Sequence, residues 1–108
     1  MHTNIHVLPE AKEAIQNFKL PKEIGFGKTI APVMIECDYA DGKWGEVYLK
    51  PYAPIQMTPT AKVLHYGQEV FEGMKAYYVN KVGPYLFRPE ENWKRINHSC
   101  DRMAMPEI

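Results

Sequence analysis

The stretch Leu64-His65-Tyr66-Gly67-Gln68-Glu69-Val70-Phe71-Glu72-Gly73-Met74-Lys75-Ala76-Tyr77 decides the fold of this 108-residue chain, together with Leu86-Phe87-Arg88-Pro89 and Asn92-Trp93-Lys94-Arg95 beyond it. From Val63 to Tyr78 apolar and aromatic residues are dense, and Gly67 and Gly73 interrupt them. That pattern predicts a short turn or helix running into a strand near Met74 to Val79. Lys81-Val82-Gly83-Pro84 reads as the next turn and Tyr85-Leu86-Phe87 as a short strand. Pro89, followed by Glu90 and Glu91, suits the first turn of a helix, where a missing N–H costs little and acids favour the dipole. The helix's apolar stripe is Trp93, Ile96, Cys100 and Met103, with Glu91 and Arg95 at i and i+4 on its flank.

Upstream, Val33, Ile35, Cys37 and Tyr39 alternate with Met34, Glu36 and Asp38, the period of a half-buried strand. Asp41-Gly42 favours the positive φ angles of a tight turn, so Glu46 to Leu49 is predicted to return as the second strand of a hairpin. Pro51, Pro54 and Pro59 are expected to end regular pairing after it. Ala11, Ile15 and Phe18 make a weak helical stripe between Pro9 and Pro21, within a leader taken as residues 1–24. Residues 25–108 are then one small domain. Pro106-Glu107-Ile108 reads as the opening of another element, so the expectation is a segment cut before a larger domain.

Composition narrows the function classes. The 13 Lys and Arg balance the 13 Asp and Glu, so no overall charge draws the chain to nucleic acid or acidic lipid. A 45% hydrophobic content is that of a globular chain, yet a domain this small buries only about 60–70% of its unfolded surface and gains from a covering partner. Cys37 and Cys100 form no CxxC and have no His pair at zinc spacing, which excludes a disulfide framework and a structural metal. No apolar run approaches 18 residues and Met1 to Glu10 lacks a signal pattern, so the chain is expected to be soluble and cytoplasmic, without membrane contact. The generic signatures GxSxG, HExxH, GxxxxGK[ST] and GxGxxG are all absent.

The opening stretch closely resembles the N-terminal region of branched-chain amino acid aminotransferases, which are fold-type IV enzymes dependent on pyridoxal phosphate (PLP). Phe26-Gly27-Lys28-Thr29 and Trp44-Gly45 extend the resemblance from about Gly25 to Pro106. Val70-Phe71-Glu72-Gly73 alone also suits D-amino acid aminotransferases and aminodeoxychorismate lyases. His65-Tyr66, Met74-Lys75 and Phe26-Gly27-Lys28-Thr29 favour the branched-chain group. The resemblance implies an α/β (α+β) small domain, mostly antiparallel sheet with a packed C-terminal helix, facing a larger domain across a PLP cleft. It implies transfer of the amino group of leucine, isoleucine or valine to 2-oxoglutarate by the intact enzyme, a homodimer or higher homo-oligomer.

By spacing alone Arg95 reads as an exposed helix arginine paired with Glu91; the resemblance assigns it to the PLP phosphate, which suits a permanently charged guanidinium fork. Phe71 and Phe26 match aromatic residues that line the pocket for the substrate side chain, and plain core packing is the alternative for both. Tyr66 matches a tyrosine reaching across the dimer interface, with a buried, hydrogen-bonded tyrosine as the alternative, and Gly73 matches a position where backbone approaches substrate, with a simple strand-entry glycine as the alternative. Lys75 matches a lysine or arginine beside the pocket, with a solvated strand lysine as the alternative; it is not the cofactor-bearing lysine, which the family carries in a later glycine-rich segment. His65 has no carboxylate or serine partner placed by sequence and reads as structural. No residue is assigned as catalytic acid or base, and the segment alone is expected to be inactive. Two other readings stay open: a different fold-type IV enzyme acting on D- or aromatic amino acids, or a free-standing self-associating module.

Overall fold

A computed structural model describes residues 4–108, in two compact units that meet in sequence between Ile55 and Gln56. In the first unit, strands β1 (Ile5–Val7), β2 (Val33–Ala40) and β3 (Lys43–Pro51) form a sheet of order β1-β3-β2, with helix α1 (Pro9–Asn17) between β1 and β2 in the chain. The second unit contains helix α2 (Lys62–Tyr66), the hairpin of β4 (Ala76–Val79) and β5 (Val82–Leu86), and helix α3 (Pro89–Arg102). Mixed α/β content, mainly antiparallel pairing and a C-terminal helix agree with the expected fold class.

The first hairpin forms as its turn chemistry dictates. Ala40 stands opposite Lys43, and Asp41 and Gly42 take φ of 52° and 77° between them. The strand runs longer than the Glu46 to Leu49 expected. Pro51 still occupies the end of β3 opposite Val33, because a proline at a strand end gives up only an outward N–H. The alternation in β2 does not yield a clean buried face, since Ile35 remains exposed while Glu36 pairs with Lys50 at 2.8 Å.

Two elements differ from the sequence reading. Ile5–Val7, within the leader, is a strand paired parallel to β3, with His6 Nε2 bonded to the Glu46 carboxylate and its ring against Tyr48. Three residues are too few to show a period, and their partner lies 42 positions away, Ile5 opposite Val47. The second hairpin turns at Asn80 and Lys81, both at positive φ, rather than over Lys81 to Pro84. Asn tolerates the left-handed region, which frees Val82-Gly83-Pro84 to begin β5.

Helix α3 starts at Pro89, with Glu90 and Glu91 in its first turn, as expected. Of its apolar stripe only Cys100 is fully buried; Ile96 and Met103 are half-buried, and Trp93 is exposed with its indole N–H donating to the Ile108 carbonyl. Among the described residues, Ala11 and Cys100 are the only buried apolar side chains, one in each unit. The accessible surface is 9921 Å², against about 7,400 Å² for two folded bodies of the same combined mass. Much aromatic surface, including Phe26 in the first unit and Tyr66 and Phe71 in the second, is left exposed by its own unit.

Candidate functional site

The second unit gathers most of the residues singled out by the sequence. Gly67, in the left-handed conformation at φ 58°, ends α2 and starts an irregular segment that reaches Lys75 before β4 begins. Tyr66 stands at the close of α2 and is 82% exposed, and Phe71 within the segment is 92% exposed. Neither is a core residue here, so the packing alternative for Phe71 does not hold within this chain. Phe26 belongs to the first unit and is fully exposed, so core packing does not explain it either.

Gly73 and Lys75 border one concavity of about 420 Å³ with Met74, Tyr77, Phe87 and Asn92. Lys75 lies in the loop, not in the strand expected to start near Met74. A Cβ built on Gly73 meets open space, so packing within this chain does not demand glycine there. His65 donates from Nε2 to the Pro59 carbonyl, as a structural histidine would.

Arg95 is not paired with Glu91. Glu91 instead bonds Lys94 at 3.0 Å, and the Arg95 guanidinium forks onto Glu72, 23 residues earlier. Arg95 Nε donates to Glu72 Oε2 at 2.6 Å, and Nη2 donates to Oε1. That oxygen also accepts from Asn92 Nδ2 at 2.9 Å and from the Gly73 backbone N–H at 3.1 Å. Asn92 donates again to the Gly73 carbonyl at 2.9 Å, so α3 holds both the carboxylate and the loop that carries it. The Glu72 side chain is 11% exposed, whereas that of Arg95 is 67% exposed.

The consequence is electrostatic. Hydrogen bonds from Arg95 and then Asn92 hold the Glu72 carboxyl well below its ordinary 4.5, at about 2. The same carboxylate raises Arg95 above its already high value. A depressed carboxyl stabilises the fold above its unfolded pKa near 4.5, and this contribution disappears as pH falls through about 2. A ¹³C titration of the Glu72 carboxyl is expected to show a midpoint well under 4; a midpoint near 4.5 means the network is not formed in solution.

Neither Glu72 nor Asn92 carries a role in the sequence reading. One signal was present, since Asn92 and Arg95 sit at i and i+3 on the same helix face, but their shared acceptor is set only by folding.

No protein-family model matches the chain. It is 45% identical over 89 residues to Branched-chain-amino-acid transaminase 1 of Bacillus subtilis (strain 168), covering 82% of this chain and 25% of that protein. It is 44% identical over 101 residues to a probable branched-chain-amino-acid aminotransferase of Staphylococcus aureus (strain N315), covering 92% and 28%. With a branched-chain-amino-acid aminotransferase of Mycolicibacterium smegmatis (strain ATCC 700084 / mc(2)155) it shares 47% over 85 residues, covering 78% and 23%. The class is that of the aminotransferases. Within it the chain is similar to branched-chain aminotransferases, and it spans about a quarter of the length of the curated relatives it matches.

Proposed function

We propose that this chain is the small-domain part of a PLP-dependent branched-chain aminotransferase, which passes the amino group of L-leucine, L-isoleucine or L-valine to 2-oxoglutarate. The observation that carries the proposal is Arg95. In a chain this similar to proteins named for that activity, its guanidinium is anchored along one edge and two-thirds exposed elsewhere. The donor chemistry fits a phosphate: an arginine has five N–H groups, and Glu72 takes one from Nε and one from Nη2.

PLP, when bound, supplies the electron sink for amino-group transfer. This chain's residues would bind and enclose. Arg95 grips the phosphate by charge-assisted hydrogen bonds. Phe71 and Phe26 are each assigned, by the resemblance, to lining for a branched aliphatic side chain, a role that their exposed rings suit. Tyr66, whose hydroxyl has no partner among the described residues, reaches the neighbouring active site of a homodimer or higher homo-oligomer. Gly73 lets backbone approach the substrate, and Lys75 offers a cation beside it. The cofactor-bearing lysine belongs to the rest of the enzyme, in a domain that follows residues 25–108, and the 108 residues alone are inactive. We place the enzyme in the cytoplasm; among the described residues no helix is long and apolar enough to cross a membrane.

The test is turnover by the intact enzyme with 2-oxoglutarate as acceptor. L-leucine, L-isoleucine and L-valine are expected to be used well ahead of D-alanine and L-phenylalanine. Preference for either of the latter two overturns the substrate assignment.

A further inference from the structure

We infer that Glu72 is a positioning residue: its carboxylate locks one edge of the Arg95 guanidinium so that the opposite edge is presented to the cofactor phosphate. The inference rests on the phosphate role proposed for Arg95 and deepens it. An exposed arginine side chain samples many rotamers, and a phosphate that must first select one binds more weakly. The fork from Nε and Nη2 to the two oxygens of Glu72 removes that freedom. It leaves both N–H groups of Nη1 and the second of Nη2, and Nη1 has no hydrogen-bond partner among the described residues.

Glu72 is itself fixed. Asn92 and the Gly73 N–H both donate to Oε1, and the side chain is nearly buried, so the carboxylate does not swing away with the arginine. Asn92 also holds the Gly73 carbonyl, which couples the phosphate grip to the loop expected to face the substrate. Removing an orienting partner of a binding group costs affinity although the partner never touches the ligand.

Charge and positioning predict opposite signs. Glu72 places a negative charge near a dianion, so removing it would tighten phosphate binding if electrostatic repulsion were its main effect. If orientation is its role, the same change weakens binding.

The experiment compares dissociation constants of PLP and of pyridoxal, which lacks the phosphate, by spectroscopic titration of the intact apoenzyme. The wild type, Glu72→Gln and Arg95→Ala are measured. In Glu72→Gln the advantage of PLP over pyridoxal is expected to shrink roughly three- to tenfold, with pyridoxal affinity unchanged; general loosening of the fold would weaken both. An unchanged or larger advantage overturns the inference. Should Glu72→Gln not fold, Asn92→Ala keeps both charges and removes one support of the carboxylate. The same shrinkage is expected there, and an unchanged advantage is equally fatal. Arg95→Ala separates the two levels. If it leaves the PLP advantage intact, the phosphate role itself fails; if it abolishes the advantage while Glu72→Gln does not, only the positioning role fails.

Discussion

Arg95→Ala in the intact enzyme is expected to weaken PLP binding between roughly ten- and a hundredfold, the worth of a hydrogen bond with a charged partner. The variant removes every N–H that the guanidinium could offer a phosphate, while α3 keeps its helix-forming side chains and its buried Cys100. Arg95→Lys is expected to recover part of the loss, because an ammonium keeps the charge but cannot hold Glu72 by two parallel bonds and the phosphate by two others. The change also releases Glu72. Without its first and strongest partner the carboxyl titrates closer to its ordinary value, although Asn92 and the Gly73 N–H still donate to it. A cofactor titration reads the first effect, and an affinity equal to that of the wild type removes Arg95 from the site.

The largest loss of stability is expected from Gly83→Ala, at about 2–3 kcal/mol. Gly83 lies within β5 at φ 147°, a backbone region that side chains disfavour. An added Cβ would sit 2.7 Å from the Tyr77 carbonyl oxygen and 3.2 Å from the Tyr85 nitrogen. Both are backbone atoms, so relief requires the β4–β5 hairpin to shift rather than a side chain to rotate. Gly67→Ala is the control. Its φ of 58° is also positive, but a Cβ there meets nothing within 4 Å, so the expected cost is only about 1–2 kcal/mol. Urea denaturation of the two variants orders them, and a Gly83→Ala midpoint equal to that of Gly67→Ala contradicts the hairpin geometry.

The sparse core connects these predictions to function. The proposed roles of Tyr66, Phe71 and Phe26 require cover for exposed rings that their own units do not bury. The curated relatives are about four times longer than the aligned segment, and the proposal assigns that closure to the remainder of the enzyme and to a second copy.

Much of the architecture could be read before folding wherever neighbours in sequence do the work. Asp41-Gly42 can turn at positive φ with little strain, and Pro89-Glu90-Glu91 can start a helix unaided, so both features are where local chemistry places them. The block from Leu64 to Tyr77, with Phe26-Gly27-Lys28-Thr29 and Trp44-Gly45 upstream, carries the family resemblance. The tertiary structure decided what spacing cannot encode: the pairing of Ile5–Val7 with β3, the turn at Asn80 and Lys81, and the replacement of Glu91 by Glu72 as the partner of Arg95. Glu91 is a plausible neighbour on one helix, but Glu72 brings a carboxylate already held by Asn92 and by backbone, so its two oxygens lie where the fork can reach them. A helix repeat reports contacts three or four residues apart. A bond across 23 residues exists only after the loop has docked, and sequence periodicity carries no record of it.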